Sequence, residues 1–467
     1  METIKCPQNS NVAKQPVLLT ILISALLPSF MGSSIIVALP SIGNEYGMTA
    51  AAVSWVSIAY LLAVAIFLVP FGRVADIFGR KRIYLWGIIT LSVTSMLCVF
   101  SETGLQLIIL RVLQGLGSCM LASTGIAILA SVYPAGERGP ALGLVGFAYY
   151  AGMSAGPLLG GFLTQYFGWR SIFWVSTLLG VINVVIVLKY LKAEWAEAKG
   201  ERLDIGGAVI YCFSLAALLC GFTFLHTSYG WLLLFTGAAG LIGFGRWVST
   251  VTNPIVDIFL FKGNKSFIFS TFAALINYGI AVVVGYLLSL YLQFITGLSP
   301  QYAGVVLTIQ PILQAIFSPF AGRISDRIEP GRVSSLGMAL NGAGLFLLVF
   351  LGEHTPLFII ILILILQGLG CAFFVSPNQN LVMNSVEKRS YGVAYGILAT
   401  MRFIGQMLSL AIATLSFILY IGNQAITPNV YPHFLVSIHT TFIIMTILCA
   451  FGIYASLVKK QVNSKQH

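Results

Sequence analysis

Two arginines stand in stretches that are otherwise almost wholly apolar, and they define the chemistry open to this chain. In LIILRVLQGLGS, Arg111, Gln114, Gly115 and Ser118 fall at i, i+3, i+4 and i+7 and share one helical face. Arg402, Gln406 and Ser409 share a face in the same way. A guanidinium inside an apolar run is costly unless it meets protein or water, so each arginine is a candidate for the wall of a polar cavity. Snorkelling or a backbone contact is the plainer alternative for Arg111. The rest of the polar interior is Asn183, Asn277, Gln310, Gln314, Asn341 and Gln367, with aromatics such as Tyr60, Tyr149, Tyr150 and Tyr278. The residues expected on a substrate or proton pathway are Arg111, Gln114, Tyr60, Asn277, Tyr278, Gln310, Arg402 and Gln406. For each amide taken alone, an interhelical hydrogen bond is the blander reading. None of the acidic residues lies in the middle of an apolar run. Arginines without an acid suit neutral, amphipathic or anionic molecules. Bond-breaking chemistry has nothing to stand on: there is no phosphate loop, no nucleophile with a base and no ligand cluster, so no enzyme, metal site or cofactor is expected.

Composition says what must hold these residues. Of 467 residues, 58% are hydrophobic and 8% charged, and the mean hydropathy is +0.93. An ordinary soluble domain has about 25% charged residues, so this reads as an all-α polytopic membrane protein. The net charge of +11 is then a matter of position and not a sign of nucleic-acid binding. Seven scattered cysteines without a CxxC read as small apolar residues. About fourteen apolar runs approach the ~20 residues needed to cross a bilayer. The basic residues, from Arg73 and Arg80 to Arg332 and Arg389, fall on one side of that count, and Arg170 is nearly alone on the other. This asymmetry predicts an even number of spans with both termini in the cytoplasm. The polar N-terminus reads as a short cytoplasmic tail without a cleavable signal, and His439, about one turn inside the last run, as an interfacial histidine.

Repeats organise the spans. GRVADIFGRKR, Gly72 to Arg82, returns as GRISDR, Gly322 to Arg327, and LQGLG at Leu113 to Gly117 returns at Leu366 to Gly370. Both words recur at an offset of about 250 residues, the mark of internal duplication. They follow or occupy spans two and four, then ten and twelve, so corresponding helices are eight apart. Two six-helix bundles with two inserted helices account for that interval. The expected division is 1–192 for the first bundle, 193–266 for the linker and inserted pair, and 267–467 for the second bundle.

The glycines of GRVADIFGRKR permit a tight turn, and Asp76 can begin the next helix or pair with a nearby arginine. The stretch resembles the loop between helices two and three of the major facilitator superfamily, in which Gly72, Asp76, Gly79, Arg80 and Lys81 match. Ile77 replaces the arginine that often follows the aspartate, whereas Arg327 holds that place in the second copy. The resemblance implies a cytoplasmic latch of Gly72, Asp76, Gly79, Arg80, Lys81, Gly322, Asp326 and Arg327 that stabilises the outward-facing state. The run holding Arg111 resembles the superfamily's fourth-helix motif, which implies proton transfer or substrate contact; Leu364 stands there in the second copy. Gly152, Gly156 and Gly160 recur every four residues around Pro157, allowing close helix approach and a bend. Extended to Gly161, the string resembles the fifth-helix motif of exporters and antiporters, which implies efflux. SWVSIAYLL around Trp55 and Tyr60, VALP ending at Pro40, NPIVDIFLF at Asn253 to Phe261 and YLQFITGLSPQYAG at Tyr291 to Gly304 resemble the fourteen-span drug:proton antiporter branch. That branch commonly carries an acid nine positions before the VALP proline, and here the residue is Met31.

The expectation is a monomeric secondary transporter in the cytoplasmic membrane, rocking two bundles around a midplane cavity. The resemblance implies proton-coupled export of hydrophobic or amphipathic small molecules, with an atypical coupling group or a protonatable substrate. The expected partners are that substrate, protons and the lipid bilayer. Uniport or exchange of a neutral or anionic organic solute is the alternative. A sensor or scaffold stands further off, because it has no need of duplicated halves.

Overall fold

The computed structural model describes residues 14–252, 254–255, 264–387 and 391–457. Cys6, Lys388, Arg389 and most of the Asn253 to Phe261 stretch lie outside the described residues. The described chain forms fourteen long helices: α1 Lys14–Tyr46, α2 Ala50–Phe78, α3 Arg80–Val99, α4 Gly104–Val132, α5 Ala135–Phe167, α6 Arg170–Tyr190, α7 Ile205–Thr223, α8 Ser228–Val248, α9 Lys265–Phe294, α10 Pro300–Ser325, α11 Pro330–Leu348, α12 Leu357–Asn384, α13 Tyr391–Tyr420 and α14 Tyr431–Leu457. Polar residues start several of them by accepting an orphan backbone N–H: Thr49 from Ala52, Thr103 from Gln106 and Asn264 from Phe267. Among the described residues, thirteen helices are long and apolar enough to cross a membrane. The exception is α11, where Ser334, Ser335, Asn341 and several glycines dilute the apolar content.

Packing repeats with a shift of eight helices. In the first bundle α1 packs on α5, α2 on α4, and α3 on α4 and α6; in the second α9 packs on α13, α10 on α12, and α11 on α12 and α14. The two largest contacts that join the bundles among the described residues, α5 with α10 and α2 with α13, exchange under the same shift, and α1 meets its own counterpart α9. The protein is therefore two related six-helix bundles meeting about a pseudo-twofold axis. The LQGLG repeat has a physical reason in both copies. A Cβ on Gly115 would lie 2.6 Å from the Tyr60 carbonyl oxygen, and one on Gly368 would lie 2.8 Å from that of Gln310. The next glycine in each word does the same for the neighbouring helix, Gly117 at 2.7 Å from the Leu91 nitrogen and Gly370 at 2.9 Å from the Asn341 nitrogen. No larger residue fits these four crossings without moving a backbone.

The pair α7 and α8 lies outside this scheme. Tyr211 and Phe244 hold the two together with ring centroids 5.3 Å apart. α7 packs on both α2 and α13, so it lies along the seam between the bundles. Trp55 of α2 stacks on Phe224, just past α7, at 5.6 Å. α8 exposes Trp231, Leu232, Phe235 and Ile242, an apolar face suited to lipid.

Candidate functional site

Arg111 is 1% exposed, so its charge must be met by protein. Its Nε donates to the Val56 carbonyl at 3.0 Å and a terminal nitrogen to Gln114 Oε1 at 2.8 Å. The guanidinium also lies over the Tyr60 ring, 4.5 Å from the centroid, a cation–π contact that offsets part of the desolvation. Gln114 Nε2 donates to Ser95 Oγ at 2.9 Å, and Ser95 faces the buried Met31 sulfur at 4.0 Å. Met31 thus faces Ser95, the near end of a Ser95–Gln114–Arg111 chain. The Tyr60 hydroxyl donates to Ser118 Oγ at 2.9 Å. Its counterpart in the second bundle is Gln310, whose Nε2 reaches the Cys371 sulfur at 3.7 Å.

Arg402 is placed differently. A Cβ on Gly152 of α5 would lie 2.5 Å from the Leu26 carbonyl oxygen of α1, and Gly405 of α13 presses on the Leu275 carbonyl of α9 in the same way. These glycines are equivalent positions in the duplicated bundles. Three residues before each stand Tyr149 and Arg402, and these two equivalents touch: the guanidinium carbon is 5.1 Å from the Tyr149 ring centroid. Equivalent positions in contact must lie close to the pseudo-twofold axis. Tyr278 and Phe403 add rings at 5.9 and 4.7 Å from the same guanidinium. At 1.5 Å per residue Arg402, Tyr278 and Tyr149 all lie about 16–21 Å from the ends of their helices at Tyr391, Lys265 and Ala135, which is mid-depth. Arg402 Nε is buried with no hydrogen-bond partner among the described residues. Beside it a cleft is lined by Tyr278, Gln379, Tyr395, Leu398, Ala399 and Arg402.

The seam between the bundles is sealed at one end. Ser54 and Tyr286 share a hydrogen bond at 2.6 Å, Ser289 Oγ donates to the Ile36 carbonyl at 2.9 Å, and Gln293 Nε2 donates to that of Val37 at 3.0 Å. Nearby, Tyr166 donates to Gln301 at 3.0 Å and the Ala50 amide to the Gln424 carbonyl at 3.0 Å. α5 and α10 meet backbone to backbone here, with Gly304 against the Pro157 carbonyl and Gly161 against that of Pro300. This end carries Glu45 and Arg170, paired at 2.6 Å. The end carrying the basic loops lies opposite.

At the basic end the turn between α2 and α3 differs in detail from expectation. Gly79, at φ +116°, makes the turn alone. Gly72 is a residue of α2 where an added Cβ would lie 3.8 Å from that of Ser123, an ordinary contact, so neither a bend nor close packing requires glycine there. Asp76 also stays in α2, where Arg80 meets it at 2.7 Å. The other partners come from the α6–α7 linker. Glu197 meets Arg80 at 2.7 Å, Glu194 accepts from the Lys81 amide at 2.8 Å, and Glu201 pairs with Arg73. The Trp195 carbonyl accepts from the Arg80 amide at 2.8 Å. The linker lies as a strap over the turn. In the second copy Gly322 is in α10 beside Ser376, Asp326 caps that helix and Arg327 follows in the turn.

The glycine string of α5 packs on a serine ladder of α1. Ser34 Oγ donates to the Gly156 carbonyl at 2.9 Å, and Gly160 sits against Ser34. Asn277 Nδ2 reaches the Met338 sulfur at 3.5 Å, inside the second bundle. Gln406, one turn past Arg402, is partly buried, and its carbonyl accepts from Ser409 at 2.9 Å. His439 Nε2 lies 2.6 Å from the Leu351 carbonyl, which ties α14 to the end of α11. The structure therefore gathers Arg402 and Tyr278 with Tyr149, joins Arg111, Gln114 and Tyr60 in a second cluster, and leaves Asn277 and Gln310 within bundle packing. Tyr395 and Gln379 were missed from sequence. Tyr149, named from sequence among the interior aromatics but not on the pathway, could have been paired with Arg402, because its distance from Gly152 equals that of Arg402 from Gly405.

Among the described residues no acid lies more than about one turn inside a helix, and no cluster of His, Cys, Asp or Glu could hold a metal. Comparison with known proteins agrees with the architecture. The sequence pattern of the Major Facilitator Superfamily matches residues 21–209 and 267–466. The chain is similar to the riboflavin transporter RibZ of Clostridioides difficile, 29% identical over 416 residues, covering 88% of this chain and 89% of that protein. It is 29% identical over 387 residues to the multidrug resistance protein Stp of Mycobacterium tuberculosis, covering 80% of this chain and 71% of that one. The crystal structure of the human organic anion transporter MFSD10 superposes with a TM-score of 0.65 at 15% identity, covering 97% of this chain and all of that one.

Proposed function

This chain belongs to the Major Facilitator Superfamily, and from that membership we propose that it is a secondary transporter exporting hydrophobic and amphipathic small molecules by alternating access across the cytoplasmic membrane. The observation that carries this reading is the seam. Two bundles related by a pseudo-twofold axis are hydrogen-bonded at one end and hold a polar site at mid-depth, which is what an alternating carrier requires. The basic loops assign their end to the cytoplasm. On that assignment both termini are cytoplasmic and the sealed end faces outward. The working division is 1–192 and 267–467 for the moving bundles, with 193–266 as the strap and inserted pair; the superfamily pattern passes over 210–266. The small-residue contact of α5 with α1 supports the export direction, as does the similarity to a multidrug resistance protein.

Proton coupling is part of the proposal, carried by a protonatable substrate or by the mid-depth tyrosines, since Met31 occupies the acid's place. A second reading, proton-independent movement of a neutral or anionic solute, is favoured by that same Met31 and by the similarity to a riboflavin transporter. The test uses the purified chain in liposomes loaded with a pH dye, challenged with cationic, neutral and anionic compounds. Substrate-induced proton flux is expected. Flux of labelled substrate without proton movement would replace antiport by uniport or exchange. In Met31→Asp, a carboxylate facing Ser95, Gln114 and Arg111 is expected to add a response to cations that the wild type lacks.

A further inference from the structure

Arg111 is fully buried and Arg402 partly buried, and the two differ in what is left for a ligand. Arg111 spends its Nε on the Val56 carbonyl and a terminal nitrogen on Gln114. Arg402 makes no ion pair and its Nε has no partner among the described residues. Its surroundings are rings: Tyr149 and Tyr278 present their faces to the guanidinium, and Tyr395 lines the adjoining cleft. Cation–π contacts compensate only part of the cost of removing a guanidinium from water. A planar fork of donors with no carboxylate in reach is built to take an anion bidentately. Aromatic walls on either side suit a flat apolar body carrying that anion. The position supports the same conclusion. The contact between Tyr149 and Arg402 puts the site at mid-depth on the pseudo-twofold axis, where both bundles can touch one ligand. On the cleft wall, Leu398 and Tyr395 lie one and two turns from Arg402 towards the basic end of α13.

We propose that Arg402, walled by Tyr149, Tyr278 and Tyr395, is the substrate site and takes flat aromatic molecules through a carboxylate or sulfonate. This rests on the transport reading and names its substrate class. The anion supplies the counter-charge that the protein withholds, so binding neutralises Arg402 and draws the two bundles onto one ligand.

The test measures equilibrium binding of 2-naphthoate and 1-pyrenesulfonate, each beside its neutral amide, to purified wild type, Arg402→Gln and Arg402→Lys, with melting curves to establish folding. Transport of the same four probes is followed in liposomes. The wild type is expected to prefer each anion by about tenfold or more, the order of one charge-assisted bidentate contact. Arg402→Gln should bind anion and amide alike, and Arg402→Lys should keep part of the preference. Equal binding of anion and amide by the wild type, no binding of either anion, or an undiminished preference in Arg402→Gln would overturn the proposal. Should Arg402→Gln fail to fold, a preference in Arg402→Lys equal to that of the wild type would overturn it, and a reduced one would support it. Arg402-dependent binding without flux of any probe would instead overturn the transport reading and leave the anion site standing. Flux of the amides with no preference for the anions would do the reverse.

Discussion

Arg111 and Arg402 carry the same charge inside the helix bundles, Arg111 buried and Arg402 only partly so, and their substitution should read out differently. Arg111 bridges α4 to the Val56 carbonyl of α2 and holds Gln114. Removing it leaves the buried Gln114 oxygen unpaired, which typically costs about 1–3 kcal/mol, and takes the cross-helix donor from the Val56 carbonyl. Arg111→Ala is therefore expected to lower the melting temperature of the purified protein as well as transport. Arg111→Lys should rescue little, because an ammonium cannot keep both bonds and the stack on Tyr60. Loss of transport with an unchanged melting curve would move Arg111 from a brace to a ligand contact.

Between elements, the sealed end depends on Gly304 and Gly161, whose α-carbons let α10 and α5 meet backbone to backbone. A larger residue obstructs closure of that end while leaving each bundle intact. Gly304→Val should therefore favour the state open there. Thiol labelling of Gln293→Cys from that side, in a background without accessible native cysteines, is expected to rise on the order of fivefold, as a shift of ~1 kcal/mol between two states would produce. Unchanged labelling would show that the glycines do not limit closure. The strap over the α2–α3 turn makes a separate prediction. With Glu194, Glu197 and Glu201 all changed to Gln, protease cleavage between 192 and 204 should become severalfold faster, because three of its ionic ties to Arg80, Arg82 and Arg73 are lost. Cleavage at the wild-type rate would assign the strap's order to its backbone contacts alone.

For the whole molecule the open question is the inserted pair. α7 lies along both α2 and α13, the helices that join the bundles on one side of the seam. Deleting Asp204 to Arg246 with a short linker is expected to leave a monodisperse protein that still moves substrate, with a melting temperature lower by roughly 5 °C, a few kcal/mol at this size. Aggregation of every such deletion would make the pair part of the core packing.

Membrane class, helix count, the eight-helix interval and the basic end were legible in the sequence, because they follow from local composition, span length and charge placed next to spans. Even α11, which falls short as an apolar span, lies where the repeat puts it. The LQGLG word could be seen as a repeat, although its cause, four backbone crossings, could not. Gly72 and Gly79 look alike in GRVADIFGRKR, and only the backbone separates a helical glycine with room for a side chain from the one at positive φ. The tertiary structure alone decided which arginine is spent and which is free. That depends on whether a carbonyl such as Val56 lies within hydrogen-bond reach, and on a symmetry axis that brings Tyr149 and Arg402 together from about 250 positions apart. Helical periodicity places a side chain on a face; the identity of what stands opposite belongs to the packing of one helix against another.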